Sequence, residues 1–309
     1  VPSIDALDQR LQDLTLPYRP QREWIEGRGL LVVIAHFFSG VAAGVWLFSL
    51  ALDYDAGLII SIVVTAVLAG GAHLAFLGRW QRFWRMILRP HSSWISRGLL
   101  GIALFLAGAV LYVLPGVRDT TFGSAMLAVS ILGVALILVH KGFVYLVSKA
   151  IPFWNISLLP FLYIAYALRG GAALLLVAAA AAGDVFDIDL LEAIKLWVVV
   201  SSAVLLLLYL ALANNAGPAA KRSLQELVAG RLSPAFYAGT IFLGLVIPIA
   251  LGAIGATTGL WRGLLAFVGL SSLAGDFFVQ YCIVKAGIYL PIVGELPPAR
   301  SYRGRPRLF

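Results

Sequence analysis

The chain has 309 residues, of which 61% are hydrophobic and 12% charged, and its mean hydropathy is +0.93. A water-soluble domain carries roughly a quarter charged residues, so this composition excludes one and specifies an all-α integral membrane protein. The net charge of +8 has a sufficient explanation in membrane topology, so no nucleic-acid partner is expected.

Residues 1–28 form a polar tail containing Asp5, Asp8, Asp13, Glu23 and Glu26. It lacks the basic-then-apolar order of a secretory signal, so the first span is expected to be retained. A bilayer span needs roughly 20 apolar residues. Eight stretches meet this, over 29–52, 57–77, 98–114, 123–147, 156–182, 192–213, 236–257 and 262–287. The first span carries His36 and the small-residue face Gly40–Gly44, which suits close helix packing. The second carries His73.

Between spans two and three, Arg79, Arg82, Arg85 and Arg89 alternate with Trp80, Phe83, Trp84 and Met86. At helical spacing this makes a basic face and an aromatic face, as in an interfacial helix, which Pro90 ends. The pattern suits both snorkelling at the headgroups and docking of a partner, and His91 lies beside it.

The fourth span ends with His140, Lys141 and Tyr145. Span five carries Arg169 and a second small-residue run, Gly170 to Ala173. Pro160 and Pro248 are predicted to kink spans five and seven. Asp184, Asp187 and Asp189 read as a solvated acidic loop rather than a metal site. Span eight carries Asp276 and Cys282. A lone cysteine supplies no disulfide, zinc site or iron–sulfur ligand set, and no metal site is expected. Residues 288–309 form a basic tail.

Eight spans put both ends on one side, together with Arg10, Arg19, Arg22, Arg28, Arg79, Arg82, Arg85, Arg89, Arg97, Lys141, Lys149, Lys221, Arg222, Arg231, Lys285, Arg300, Arg303, Arg305 and Arg307. The other side holds only Arg118, Lys195 and Arg262. This bias assigns the termini to the cytoplasm and offers a surface to an acidic partner.

All four histidines precede Lys141. Span counting brings His36, His73 and His140 to the cytoplasmic half of the first four helices, where facing helices build cofactor sites. Ionisable residues inside a membrane default to function, so a proton-exchanging or ligand-binding site is expected there, with His91 left as a loop residue. Arg169 and Asp276 both reach the bilayer centre and are expected to pair. A structural clasp is favoured over a proton route, because arginine does not release its proton.

The stretches LGRWQRFWRMILRPHSSWISRG and HKGFVYLVSKAIPFWNISLLP, with SGVAAG in span one and ALRGGAALL in span five, resemble the NrfD/PsrC family of membrane subunits. The Ser93-Trp-Ile-Ser-Arg97 element is similar to one in the related DmsC-type anchors. The resemblance covers nearly the whole chain. It implies two four-helix bundles, at 29–155 and 156–287. It also implies a haem-free anchor of a bacterial inner-membrane complex, with a molybdopterin catalytic subunit and an iron–sulfur subunit of several clusters. Electrons then pass between those clusters and ubiquinone or menaquinone, which is not covalently bound, in the first bundle.

On this resemblance His140, His36 and His73 contact quinone, in that order of expectation. Lys141, supplying positive charge, Tyr145, Trp24 and Arg28 complete the expected quinone-binding set, with Trp24 and Arg28 also at the partner interface. Arg79, Arg82, Arg85, Arg89 and His91 are candidates for partner docking. The family's Tyr-Thr-Gly at the end of span four is His140-Lys141-Gly142 here, and Trp80 replaces its usual proline. Cytoplasmic catalytic subunits suit substrates kept inside the cell, such as a coenzyme A thioester, as in phenylacetyl-CoA:acceptor oxidoreductase, or cytoplasmic sulfite oxidation. A haem b anchor with paired histidines and a secondary transporter are the rival readings. A transporter predicts repeat symmetry between the halves.

Overall fold

A computed structural model describes residues 18–183, 187–258 and 261–291. Much of both tails, with Asp5, Asp8, Arg10, Asp13 and Arg300 to Arg307, lies outside these, as do Asp184 and the side chain of Asp189. Among the described residues eight helices are long and apolar enough to cross a membrane. They are α1 Gly29–Ala51, α2 Asp55–Leu77, α3 Trp94–Tyr112, α4 Thr121–Leu146, α5 Leu159–Ala182, α6 Ile188–Asn215, α7 (Ala235–Val246 continued by Ile247–Thr258) and α8 Arg262–Lys285. No strand occurs among the described residues; one isolated antiparallel bridge joins Pro20 to Ile288. The chain is therefore an all-helical multi-pass membrane protein, with the expected eight spans.

Short polar side chains start several of these helices by satisfying free backbone N–H groups. The Ser93 hydroxyl accepts from Ser96 N at 3.3 Å, so α3 begins earlier than hydropathy alone indicated. Thr120 caps α4 through Gly123 N at 2.9 Å, and Asp187 caps α6 through Leu190 N at 2.8 Å.

Helix α5 is central: it packs on α1, α4, α6 and α8. Its approach to α1 depends on glycine. A Cβ on Gly44 would stand 2.6 Å from the Ala167 carbonyl oxygen and 3.0 Å from Gly171 Cα. This contact ties the first four helices directly to the second four.

The two prolines behave differently. Helix α5 begins at Leu159, so Pro160 occupies its first turn. A proline there loses no hydrogen bond, and the kink expected of it does not arise. Pro248 follows a π-helical stretch, Ala235–Val246. A proline ring clashes with the carbonyl four residues earlier, and the wider π winding gives it room. A second π stretch, Val64–Ala69, interrupts α2.

Two connections differ from expectation. Trp80–Leu88 winds as a 3₁₀ helix rather than an α-helix, and the connection before α7 contains an amphipathic surface helix, Pro218–Val228. The basic loops share one face. Arg28 lies against Gly78, Leu290 N donates to the Ala150 carbonyl, and Arg222 stacks on Tyr18. We call this the basic face. On the opposite face Arg118 pairs with Asp55 at 2.7 Å.

Candidate functional site

Helices α1, α2 and α4 bring His36, His73 and His140 together near the basic face. The His36 ring centroid is 5.9 Å from that of His73 and 5.4 Å from that of His140. Each ring is held differently. His73 Nδ1 donates to the Ala69 carbonyl at 2.9 Å, the last residue of the π stretch. His140 Nδ1 donates to the Ile137 carbonyl at 2.9 Å. A carbonyl only accepts, so the neutral rings of His73 and His140 keep their proton on Nδ1 and leave Nε2 as an acceptor.

His36 Nδ1 instead meets the Tyr145 hydroxyl at 3.2 Å. When that hydroxyl donates, the His36 proton resides on Nε2, opposite in sense to the other two. Tyr145 is itself fixed by aromatic packing, with ring centroids 5.8 Å from Trp24 and 5.1 Å from Trp154. The Trp154 indole N–H is anchored to the Ile283 carbonyl at 2.9 Å.

The three imidazoles line a cavity of about 170 Å³ closed by Leu74 and Leu77 of α2, Ile95, Leu99 and Ile102 of α3, and Phe83 and Met86 of the 3₁₀ segment. An apolar cavity of about 150 Å³ accommodates a benzene ring, so this space is ring-sized. Leu74, Phe83 and Ile95 remain exposed at its rim, which gives it an apolar mouth on the side of the protein. On α3, Gly98 makes room for His140: an added Cβ would overlap the imidazole.

Lys141 takes another direction. Successive helical residues are turned by about 100°, and its side chain leaves the cavity for the α1–α5 interface, where its amine fills the space beside Gly40. It is wholly buried, and Nζ finds no hydrogen-bond partner among the described residues.

Arg169 and Asp276 form an ion pair between α5 and α8, both side chains fully buried. The guanidinium also donates to the Ser202 hydroxyl at 3.2 Å and lies 4.6 Å over the Tyr166 ring.

The remaining candidates lie outside the cavity. Trp24 packs on Tyr145 without lining it. Arg28 is exposed beside Gly78. Arg82 and Arg85 are exposed on the 3₁₀ segment, with Trp80 and Trp84, and Arg79 and Arg89 are exposed at its two ends. His91 is exposed, and its carbonyl accepts from Arg97 at 2.9 Å.

Residues 18–28 form a charged collar around this face. Arg19 pairs with Glu23 at 2.5 Å, Lys285 with Glu26 at 2.7 Å, and the Tyr289 hydroxyl donates to Glu23 at 3.2 Å. Partial burial pushes the Glu23 carboxyl up. Backbone N–H bonds, the Arg19 charge and the Tyr289 hydroxyl outweigh it, and the net position is below the ordinary carboxylate value.

Three features escaped the sequence reading. Phe83 and Met86 are cavity wall, which the aromatic face of their segment already hinted at. Gly98 matters only through the ring it faces. Lys195, counted with the opposite-side loops, is 3% exposed and inside α6.

A family model described as Polysulphide reductase, NrfD, matches residues 28–291. No curated protein matches the chain. The match spans all eight helices and the histidine cavity together, and the chain belongs to the NrfD family of multi-pass membrane subunits of quinone-linked reductase complexes.

Proposed function

We propose that this protein is the quinone-binding membrane anchor of a molybdopterin and iron–sulfur oxidoreductase, and that the histidine cavity holds the quinone ring. The observation that carries this reading is the convergence of three imidazoles on a ring-sized space with an apolar lateral mouth. The residues present fit the ligand. A flat apolar ring needs the hydrocarbon walls, and its two oxygens need groups that exchange protons.

A quinone bound there supplies two-electron, two-proton chemistry. His36 offers an N–H to an oxygen of the oxidised ring. His73 and His140 offer acceptor nitrogens to the hydroxyls of the reduced ring, and donate when protonated. Tyr145 is a positioning residue that fixes the His36 tautomer. Lys141 acts through the buried charge cluster rather than on the ring.

Electrons arrive from the iron–sulfur subunit at the basic face, where Trp24, Arg28, His91 and the arginines from Arg79 to Arg89 meet an acidic partner. The Lys and Arg bias supports a cytoplasmic location for that face, in a bacterial inner membrane. The substrate, whether a coenzyme A thioester or another, resides in the catalytic subunit.

The test uses the intact complex. His140→Ala and His36→Ala each lower quinone-dependent turnover by about 10²–10⁴-fold, the usual contribution of a positioned acid or base, while the iron–sulfur subunit stays bound. Full turnover in both variants overturns the assignment. A reduced-minus-oxidised visible spectrum with haem in stoichiometric amount replaces it with a haem b anchor.

A further inference from the structure

The basic face holds a second cavity, larger than that of the histidines, of about 350 Å³. Small-ligand sites run from about 300 to 1,000 Å³. Three segments far apart in the chain enclose it: residues 18–26, the stretch 222–232 that leads from the surface helix towards α7, and 285–288 at the end of α8. Its floor is fixed. Gln21 is 1% exposed; its Nε2 donates to the Val284 carbonyl, its backbone N to the Gly287 carbonyl at 2.9 Å, and its Oε1 accepts from Trp24 N at 3.2 Å.

The walls are unequally charged. Four cations, Arg22, Arg222, Arg231 and Lys285, line the cavity against two carboxylates, Glu26 and Glu226. Arg22 and Lys285 converge on one of these, Glu26, at 3.3 Å and 2.7 Å. Arg231 approaches Glu226 only to 3.8 Å, beyond hydrogen-bond range. Arg222 makes no ion pair among the described residues and lies over the Tyr18 ring at 5.9 Å. An arginine carries five donors and a lysine three, so these four side chains hold far more N–H groups than two carboxylates accept. Like charges drawn from three segments repel one another, and an anion between them removes that repulsion.

The cavity also lies where phosphate is presented. Lys285 is the last residue of α8, and Arg222 and Glu226 belong to the surface helix between the end of α6 and the start of α7. The apolar spans end at this level, and the headgroup layer lies directly beyond them. The surface helix buries Ala219, Ala220, Ser223 and Leu227 and exposes Lys221 and Arg222. That is the pattern of an interfacial helix that attracts anionic headgroups.

We propose that this cavity binds a phosphate group, held by Arg22, Arg222, Arg231 and Lys285. Basic pockets at helix ends recognise phospholipid headgroups, and arginine meets phosphate oxygens with paired N–H groups. A soluble phosphate offers the same chemistry. Once bound, the anion joins three segments that otherwise repel. It thereby fastens residues 18–26, with Trp24 packed on Tyr145, to the second four helices. The site is independent of the quinone reading, since none of its lining residues reaches the histidine cavity.

The experiment uses the full-length chain in neutral detergent, stripped of copurified lipid. It is titrated separately with dioleoyl phosphatidylglycerol and with inorganic phosphate, and unfolding temperature is read. A ligand that binds only the folded chain is expected to raise that temperature by roughly 5 °C at a hundredfold excess over Kd. A rise with the lipid alone names a headgroup as the source, and an equal rise with inorganic phosphate names a soluble anion. In either case the rise is lost in Arg222→Gln/Arg231→Gln and shrinks near 1 M salt, where charges are screened beyond about 3 Å. Arg222→Gln alone breaks no ion pair among the described residues, and it weakens binding about tenfold, the loss of one charge-assisted contact. This single variant reads the site even if the double variant folds poorly. No rise with either anion, or a rise that persists in both variants, overturns the site. Loss of the iron–sulfur subunit from the variants without any anion effect gives the cavity to that partner instead.

Discussion

Gly98 of α3 and His140 of α4 occupy what would otherwise be the same space, since a Cβ on the glycine would overlap the imidazole. The cavity thus depends on a missing methylene on one helix as much as on a histidine on another. Gly98→Ala is expected to turn the His140 ring or part α3 from α4. Quinone-dependent turnover then falls towards that of His140→Ala, while an ordinary apolar glycine with open surroundings, Gly71, tolerates alanine. Equal activity of the two alanine variants would show that the ring does not need its present position.

Tyr145 acts through His36. Tyr145→Phe keeps the aromatic stack on Trp24 and Trp154 and removes only the hydroxyl at His36 Nδ1. One net hydrogen bond is worth about 0.5–1.5 kcal/mol, so turnover falls by about tenfold or less. The pH–rate profile shifts as well, because His36 loses its tautomer constraint. A merely structural tyrosine would leave that profile unchanged.

Asp276→Asn strands Arg169 without its counter-charge. Breaking one side of a buried pair costs about 3–5 kcal/mol, read as a lower unfolding temperature in detergent. Replacing both partners with apolar residues usually restores stability. Here the double variant Arg169→Met/Asp276→Leu is expected to stay unstable, because the buried Lys141 and Lys195 then have no buried carboxylate among the described residues to offset them. Full recovery would show an isolated clasp.

The collar is acid-sensitive. The Glu23 carboxyl sits below the ordinary value of 4.5 in the folded chain, so it stabilises the attachment of residues 18–28 above that pH. The contribution is lost as pH falls through its lowered folded value. Hydrogen exchange at Trp24 and Ile25 should rise in that acid window, and Glu23→Gln should abolish the pH dependence.

The four arginines in and beside the 3₁₀ segment are exposed, and Arg85 lies over the Trp84 ring at 5.4 Å. Replacing Arg79, Arg82, Arg85 and Arg89 with glutamine should weaken binding of the iron–sulfur subunit at low salt. The deficit should shrink near 1 M salt, where charges are screened beyond about 3 Å. A deficit that does not depend on salt would assign them to the lipid-facing packing of that segment instead.

Much of this structure is legible in the residues themselves. Span number follows from hydropathy because a bilayer tolerates little else. Arg169 and Asp276 meet because two charges at one depth in an apolar chain have few alternatives, and the histidines share a depth that counting residues along each span reveals. Direction around a helix is harder to read. Lys141 follows His140 yet points to a different interface, and the neighbouring helices decide which residue faces the cavity. Lys195 resembles a loop cation, since its burial comes from α8 and α7, far along the chain. The 3₁₀ winding of Trp80–Leu88 follows from folding back over the cavity, which no local pattern encodes.

The crossing of Pro20 and Ile288 has a consequence for biogenesis. Gln21 N donates to the Gly287 carbonyl and Tyr289 N to the Arg19 carbonyl, each at 2.9 Å, so the backbone of residues 19–21 finds these partners beyond the end of α8. A nascent chain with seven helices inserted still has this segment adrift, and with it the packing of Trp24 on Tyr145. The last helix to be made therefore latches the first segment to be made. The basic face is finished only when synthesis has passed residue 289, so an incomplete chain presents that face unassembled.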